Sequence, residues 1–550
     1  MKMKKYIPKI LIVVLSMILM VSCRDLTEVN DNPNAVEPDK ADPNILITTV
    51  IAKTSRMYLD NFGYGRFAGV VQHCQKDAWF SDFNDFDWDA SSWDGQFEIL
   101  RTNELLLNLT ADNEYYSFHH GVGLVMKAFL YGLITDMWGD VPYTDALQGN
   151  GDVLTPKYDT QKEVYLTVLE LLEEAIPYFK SSSALEKNAD ILYNGDLEKW
   201  KKFAGSLMLR YYMRVSNKMP SFASAGFAAV VNSGNYIQNI DEDAAMEFPG
   251  NNIGDSWPYN TVYDDTGGSN FRRIKACKTF VDTLKYFNDP RIDNWFSKVK
   301  YPTKLSDTVT VDGAFHKIGG QLVRLYNTNS VYASQVDTSS DYVGLPPNLI
   351  IPESYNVNDS MQYQTSVNPF VSFLNDKFAE PKGDILKARL ITYSEVSFLL
   401  AEASLKNWIS GDVKTFYDNG IRVSIEMWDA ADGVDIDDWI NNQEGVTWGT
   451  GVWENELEQL IFQKWVASWT YETEAWLDAL RTGYPKFTFG PGAKRAHLPY
   501  RYMYGSDEVS YNRANYDEAV ERLRETDYSI KGKDDNWSKP WLYQDGIDEP

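Results

Sequence analysis

Hydrophobic residues recur at intervals of three and four along several stretches of the chain. Between residues 160 and 179 the apolar positions are Val164, Tyr165, Val168, Leu169, Leu172, Ala175, Ile176 and Phe179, which together form one face of a helix. Thr160 and Glu163 have the spacing of a capping box at its start. The pattern returns over 197–215 after the turn at Asn194-Gly195. Two such helices joined by a turn predict an antiparallel pair.

The same pattern predicts further helices over 93–109, 115–137, 393–408, 413–427 and 454–480. The first four form two more pairs, and Thr392 with Glu395 gives a second capping box. We therefore expect a fold dominated by α-helices. Recurring hairpins suggest a scaffold of tetratricopeptide-like pairs, although the sequence has no clean repeat of about 34 residues.

The composition changes between about residues 233 and 390, where Gly, Asn, Asp, Pro and aromatic residues replace the helical pattern. Loops of this length are uncommon in compact domains unless they serve binding or carry strands of their own. This region is predicted to be a long, loop-rich insertion with short strands.

The first residues have the form of an export signal. Lysines 2, 4, 5 and 9 precede an apolar run over 10–21 that ends at Ser22-Cys23. At about 1.5 Å per residue the run reaches roughly 18 Å, less than the ~30 Å core of a bilayer. A small residue before the cysteine resembles a bacterial lipobox, although Met20 and Val21 depart from its strictest form, and a plain secretory peptide is the alternative. We expect a signal peptide over 1–22, acyl chains such as palmitate on Cys23, a polar tether over 23–40 and one domain over 41–550.

Acidic residues outnumber basic ones, 78 to 52, and the formal net charge is −26. Nucleic acid is therefore excluded as a partner, because binding it requires a basic surface. Beyond Cys23 the only cysteines are Cys74 and Cys277, too few for a disulfide framework, and both are expected to be buried.

Short strings occur in a fixed order along the chain. They include Asp136-Met137-Trp138-Gly139-Asp140-Val141-Pro142-Tyr143, Pro156-Lys157-Tyr158-Asp159, Asp289-Pro290-Arg291, Tyr342-Val343-Gly344-Leu345-Pro346, Glu474-Ala475-Trp476 and Arg481-Thr482-Gly483-Tyr484-Pro485. Together they resemble the SusD/RagB-like lipoproteins, in particular the second SusD-like family. The resemblance implies a lipid-anchored protein facing the exterior of the outer membrane. It also implies capture of a nutrient for a SusC-like TonB-dependent transporter, without catalysis and without a cofactor.

Aromatic residues make up 14% of the chain, and some lie in polar, loop-like surroundings. The densest cluster offers Trp79, Phe80, Asp82, Asn84, Asp85 and Trp88. Flat rings beside carboxylates and amides suit a sugar, whose C–H face packs on a ring while polar side chains bind its hydroxyls. In the resembling family the glycan site draws on this segment and on the insertion, which adds Trp257, Tyr259, Tyr263, Tyr326 and Asn327.

Enzyme signatures are weak. The five histidines show no metal-binding spacing, and no Gly-x-Ser-x-Gly elbow or phosphate-binding glycine loop occurs. Glu402 and Glu474 lie in apolar helices and are expected to form structural ion pairs. A glycoside hydrolase stays an alternative because it needs only two carboxylates about 5 to 10 Å apart, and so does a structural surface lipoprotein that binds nothing. Oligosaccharide and oligopeptide both stay open as ligands, with the aromatic cluster favouring a neutral glycan.

Overall fold

The computed structural model describes residues 40–63, 65–78, 81–148, 153–186, 188–262, 270–339, 341–358 and 367–550, apart from the side chains of 261 and 262. The predicted signal peptide, the lipidation site Cys23 and nearly all of the tether lie outside these residues. Within them the fold is dominated by α-helices with a few short strands, as the sequence predicted. No helix in the described ranges is long and apolar enough to cross a membrane.

The first half of the chain supplies a helical scaffold and one short strand. Its elements are α1 (Pro43–Leu59), α2 (Arg66–Val70), β1 (Cys74–Lys76), α3 (Asp94–Thr110), α4 (Ser117–Trp138), α5 (Gln161–Ala175), α6 (Leu197–Arg214) and α7 (Pro220–Ser233). Each helix from α3 to α7 packs against the next. The predicted pairs α3/α4 and α5/α6 are therefore confirmed, and so is the capping box at Thr160 and Glu163.

The insertion carries most of the strands. In chain order it contains β2 (Ala244–Glu247), α8 (Asn270–Arg273), β3 (Ile274–Ala276), α9 (Lys278–Tyr286), α10 (Ile292–Trp295), β4 (Thr303–Leu305), β5 (Ala314–Ile318), β6 (Gln321–Tyr326) and β7 (Lys387–Ile391). β6 lies between β4, to which it is parallel, and β5, to which it is antiparallel. β1 pairs with β3, and β2 with β7, both antiparallel. The prediction of a loop-rich insertion with short strands is confirmed.

Helices return after β7. They are α11 (Tyr393–Leu405), α12 (Val413–Met427), α13 (Ile436–Asn442), α14 (Glu456–Ala467), α15 (Glu472–Thr482), α16 (Ser506–Tyr511) and α17 (Arg513–Glu521). The predicted pair α11/α12 is present and closely packed. The single helix predicted over 454–480 is wrong, because the chain turns between α14 and α15, where Thr470 has a φ of +74°. Hydrophobic spacing continues across the turn and so does not reveal it.

The second capping box forms only in part. The side chain of Thr392 accepts from the backbone N–H of Glu395 over 3.2 Å, as expected. The Glu395 carboxylate does not return to Thr392; it accepts two hydrogen bonds of 2.7 Å from the buried guanidinium of Arg210. A buried arginine needs a charged partner more than an N-terminal N–H needs a cap, which explains the difference.

Apolar side chains from Leu46 to Leu542 form one large core cluster, and charged side chains are buried within it. Glu474 pairs with Arg214 and accepts from the hydroxyl of Tyr58 over 3.0 Å. Arg481 binds Glu402 through bonds of 2.6 and 2.7 Å. The prediction that Glu402 and Glu474 form structural ion pairs is thus confirmed. Cys74 and Cys277 are buried free thiols.

Candidate functional site

Three parts of the chain that are distant in sequence meet at the buried carboxylate of Asp77. The backbone N–H of Asn368 donates to Asp77 Oδ2 over 2.7 Å. Lys275 Nζ lies 3.4 Å from the same oxygen, and the guanidinium of Arg273 lies 3.6 Å from Oδ1. Burial lowers the pKa of Lys275 to about 8, while the charge of Asp77 acts in the opposite direction. We call these four residues the Asp77 junction.

The Asp77 junction fixes the chain next to three segments, two of which contain residues that the sequence analysis selected for binding. Residues 79–80, 263–269 and 359–366 each lie a few positions from one of its members. The first two segments contain the predicted ligand contacts Trp79, Phe80 and Tyr263, which lie outside the described residues. The junction brings the flanking backbone of the three segments to one place in the fold.

The described part of the acidic and aromatic segment is largely built into the protein. Trp88 has no exposed surface, and its ring centroid lies 5.0 Å from that of Tyr502. Its indole N–H donates to the carbonyl of Asp82 over 2.9 Å. Asn84 accepts from the backbone N–H of Lys76 and donates to its carbonyl over 2.9 and 2.8 Å, in the manner of a paired strand.

Two carboxylates of the same segment remain accessible. Asp85 accepts from the backbone N–H groups of Asp82 and Asp87 over 2.9 and 3.1 Å, so it stabilises the turn. Asp82 is half-buried with Arg66 3.6 Å away. Partial burial raises the pKa of Asp82, and Arg66 acts in the opposite direction. Of the predicted ligand contacts described in this segment, Asp82 and Asp85 are partly exposed, whereas Asn84 and Trp88 are buried.

Trp257 and Tyr259, predicted as ligand contacts in the insertion, pack into the core. Both are almost fully buried, and the ring of Tyr259 lies 5.1 Å from Phe62 in an edge-to-face contact. Trp257 makes a similar contact with Phe248 at 5.6 Å. Neither ring presents a free face on which a sugar can stack. Their role in this structure is to attach the insertion to the helical scaffold.

Tyr326 and Asn327 support a loop at the rim of a cleft. Asn327 accepts and donates bonds within the loop, including one of 2.8 Å from its side-chain amide to the carbonyl of Val309. The ring of Tyr326 is buried and lies 6.0 Å from that of Tyr332. Tyr332, which the sequence analysis did not select, is 41% exposed. Tyr326 thus orients a neighbouring ring that does face solvent.

The cleft has a volume of about 630 Å³. Its lining consists of Tyr332, Gln335, Leu349, Ile350, Ile351, Ser354, Tyr355, Asn356, Val357, Asn358 and Pro491. We call it the Tyr332 cleft. The cleft combines two tyrosine rings with side-chain amides. The sequence analysis expected this kind of combination in the aromatic and acidic segment around Trp88. A sequence signal for it exists, since both tyrosines lie in loop-like stretches rich in Asn and Ser.

Hydrogen bonds hold the floor of the Tyr332 cleft in place. The side-chain amide of Asn356 donates to the carbonyl of Phe370 over 3.0 Å and accepts from the N–H of Asp337. The hydroxyl of Tyr355 donates to Asp337 over 3.2 Å, and burial together with this carboxylate raises the pKa of Tyr355. Arg324 donates to the carbonyl of Val357 over 2.8 Å. The polar groups of the floor are therefore fixed before a ligand arrives.

The Tyr332 cleft is connected to the Asp77 junction and to the turn at 82–85. The side-chain amide of Asn368, a member of the Asp77 junction, donates to the carbonyl of Tyr355 over 2.8 Å. On the other side, the side-chain amide of Asn348 donates to the carbonyl of Asn84. The cleft, the junction and the turn at 82–85 thus form one continuous region.

The described residues hold no group of three or more His, Cys, Asp or Glu side chains placed to bind a metal. The region offers rings, amides and isolated carboxylates, which suit hydrogen bonding and stacking with a neutral polar ligand.

Residues 33–505 match the family model SusD-like_2, described as starch-binding and associating with the outer membrane. None of the curated proteins compared with the chain matches it.

Several solved structures share the fold. A candidate nutrient-binding outer membrane protein from Bacteroides vulgatus aligns with a TM-score of 0.72 and 23% identity, covering 92% of this chain and 100% of that one. A chitin-binding protein aligns with a TM-score of 0.70 and 22% identity over the same shares. A SusD homologue from Bacteroides fragilis aligns with a TM-score of 0.70 and 20% identity, again covering 92% and 100%.

Proposed function

The chain belongs to the second SusD-like family of starch-binding proteins that associate with the outer membrane, and we propose that it captures an oligosaccharide at the Tyr332 cleft. Members of this family are binding proteins and not enzymes. The captured ligand would pass to a SusC-like TonB-dependent transporter in the same membrane. The protein therefore acts as the receptor of an importer.

The observation that carries the proposal is the exposed ring of Tyr332 beside the exposed side-chain amide of Gln335 in the lining of the cleft. A pyranose packs its C–H face on an aromatic ring, and its hydroxyls bind amide groups that both donate and accept. A volume of about 630 Å³ lies within the usual range for sites that bury a small ligand.

Trp79, Phe80 and Tyr263 stay predicted contacts, because the Asp77 junction connects their flanking residues to the cleft through Asn368 and Tyr355. We expect Asp82 and Asp85 to reach the ligand from the same side. Trp88, Trp257 and Tyr259 are buried, so substituting them would affect binding through stability rather than through lost ligand contacts.

The experiment is calorimetry of a protein lacking residues 1–23 against a panel of neutral glycans and a mixed oligopeptide pool. We expect saturable glycan binding, which Tyr332→Ala abolishes and Tyr511→Ala, at an exposed ring outside the cleft, leaves unchanged. The recovered glycan should be intact. Binding of peptides alone would replace oligosaccharide by peptide as the ligand class. Cleavage of the glycan would support a hydrolase. The absence of binding to either pool would overturn capture at this cleft.

Membrane attachment is a separate part of the proposal. Cys23 would carry acyl chains that hold the protein on the outer membrane, with the binding domain facing the exterior. Labelling cells with a palmitate analogue should mark the wild-type protein and not a Cys23→Ala variant. Protease added to intact cells should digest the domain, and an affinity tag on it should recover a SusC-like barrel. An unlabelled wild-type protein would leave the plain secretory peptide as the explanation of the N-terminal sequence.

A further inference from the structure

A second cavity lies on a different part of the molecule and shares no residue with the Tyr332 cleft. It has a volume of about 470 Å³ and lies between Ile240, the β2/β7 pair and the C-terminal end of α12. Polar and charged side chains dominate its walls, with three basic residues against six acidic ones. We call it the Arg389 pocket.

Arg389, on β7, is only 3% exposed and has no carboxylate within 4.0 Å among the described residues. Its Nη1 donates to the carbonyls of Ile385 and Lys387 over 3.1 and 3.3 Å. Its Nη2 reaches the carbonyl of Met427 at 3.5 Å, and the guanidinium lies 4.3 Å from the ring centroid of Trp428. Burial lowers the pKa of Arg389 to about 10.

Three other buried arginines of this protein are neutralised directly by a carboxylate. Arg210, Arg291 and Arg481 each form two hydrogen bonds with a single carboxylate. A buried cation whose direct partners are carbonyl groups is unusual, because desolvation is costly unless an opposite charge compensates it, and the charge of Asp243 acts on Arg389 only from beyond 4.0 Å. Arg389 therefore lacks a direct carboxylate partner, the planar anionic group that a guanidinium binds through two parallel bonds.

The lining of the pocket also carries several carboxylates. Asp243 accepts from the backbone N–H of Tyr393 over 2.6 Å and has no cation within 4.0 Å among the described residues. Asp384, Glu426 and Asp429 at the rim also lack ion-pair partners within the described ranges. A ligand ammonium that entered the pocket would meet several acceptors.

The basic residues other than Arg389 are already engaged. Lys387 pairs with Glu247 across the two strands over 2.8 Å, and Lys199 Nζ donates to the backbone carbonyl of Asp241 over 2.5 Å. Among the described residues, the pocket thus offers one positive group and several negative groups that have no ion-pair partner within 4.0 Å, with Arg389 and Asp243 acting on each other only from a greater distance.

We propose that the Arg389 pocket binds a small zwitterion, an α-amino acid or a dipeptide, whose carboxylate meets Arg389 and whose ammonium meets Asp243. A simple anion would be repelled by the acidic rim and by the net charge of −26. A simple cation would leave Arg389 uncompensated. A zwitterion satisfies both walls at once, so the site adds a second ligand class that does not depend on glycan binding at the cleft.

The test is calorimetric titration of the protein lacking residues 1–23 with Ala-Ala at low ionic strength. Its blocked form, acetyl-Ala-Ala-amide, serves as the neutral probe. We expect saturable binding of Ala-Ala and none of the blocked peptide. Asp243→Asn and Arg389→Lys should each weaken Ala-Ala binding at least about tenfold. Asp507→Asn, at an exposed acid on α16, should leave it unchanged.

Circular dichroism establishes that each variant is folded. If Arg389→Lys does not fold, Ala-Ala binding is measured instead with Asp384→Asn, at the exposed rim of the pocket. Tyr332→Ala should leave Ala-Ala binding intact, which separates this site from the cleft. Equal binding of the blocked peptide, binding unaffected by Asp243→Asn, or no saturable heat at millimolar Ala-Ala would each overturn the proposal.

Discussion

Asp289 and Arg291, separated by one proline, form a bidentate ion pair in which neither side chain has exposed surface. Arg291 Nε donates to Asp289 Oδ1 over 2.8 Å, and its Nη2 donates to Oδ2 over 2.5 Å. The remaining bond of the guanidinium goes to the hydroxyl of Ser424 on α12 over 2.8 Å. The pair therefore connects the loop after α9 to the α11/α12 hairpin.

Asp289→Asn should lower the free energy of unfolding by about 3–5 kcal/mol, because it leaves the Arg291 guanidinium buried without a compensating charge. Urea denaturation followed by circular dichroism measures the change. Asp341→Asn breaks the ion pair with Lys298, in which both side chains are more than half exposed, and should have little effect. Equal losses in the two variants would show that burial does not set the strength of these pairs.

Gly205→Ala should destabilise the protein by about 3 kcal/mol. A Cβ at this position of α6 would lie 1.7 Å from the backbone carbonyl oxygen of Asn235, so the backbone would have to move. Gly95→Ala, where a Cβ on α3 meets nothing within 4 Å, should instead stabilise by up to about 1 kcal/mol. Thermal and chemical unfolding of both variants measures the contrast, and a Gly205→Ala protein as stable as the wild type would contradict the close packing of α6.

Glu472 should make the protein less stable as the pH rises. Burial raises the pKa of Glu472 to about 8, and burial lowers the pKa of its neighbour His73 to about 3, so the neighbour carries no compensating charge. Between the unfolded pKa of about 4.3 and the folded value, the unfolded chain loses a proton that the folded protein keeps. The free energy of unfolding therefore falls across this window and is lowest above it.

Glu472→Gln removes this titration while keeping the shape of the side chain. The variant should be more stable than the wild type at pH 8, and its advantage should disappear towards pH 4.5. Urea unfolding at the two pH values tests this, since all other groups titrate alike in both proteins. A stability difference that does not depend on pH would contradict the raised pKa.

Trp88→Ala and Tyr332→Ala should have opposite consequences. Trp88 is fully buried, so its removal should cost about 3–5 kcal/mol of stability. Glycan affinity should be unchanged wherever the variant stays folded. Tyr332 lies at the rim, so its removal should abolish glycan binding with little change in stability. Measuring the midpoint of unfolding and the glycan dissociation constant for both variants separates the two roles, and glycan binding lost in a folded Trp88→Ala protein would restore Trp88 as a contact.

Sequence pattern predicted the helices well where local signals agreed. α12 begins and ends at the predicted residues, because hydrophobic spacing coincides with a capping side chain at Asp412. The turn at Thr470 was missed because the apolar period continues through it. Glu395 has the right spacing for a capping box, yet its carboxylate binds Arg210, which is distant in sequence. Local patterns do not report such long-range competition.

The proposed binding region was predictable in composition but not in detail. Sequence analysis selected polar stretches rich in aromatic residues, and the cleft has that composition. It could not show which rings turn inwards: the chain reverses at Phe86, where φ is +65°, and Trp88 then packs against Phe67 and Tyr502. Tyr332 and Tyr355 come together only through contacts between distant parts of the insertion.

The Asp77 junction has a consequence for redesign. Its members lie beside residues 79–80, 263–269 and 359–366 and not within them, and every one of its contacts is made by buried groups. Exchanging these segments while keeping the four junction residues should therefore leave the contacts of the Asp77 carboxylate in place. Grafting all three from a relative that binds another nutrient, with the junction left intact, would test whether these segments determine the choice of ligand.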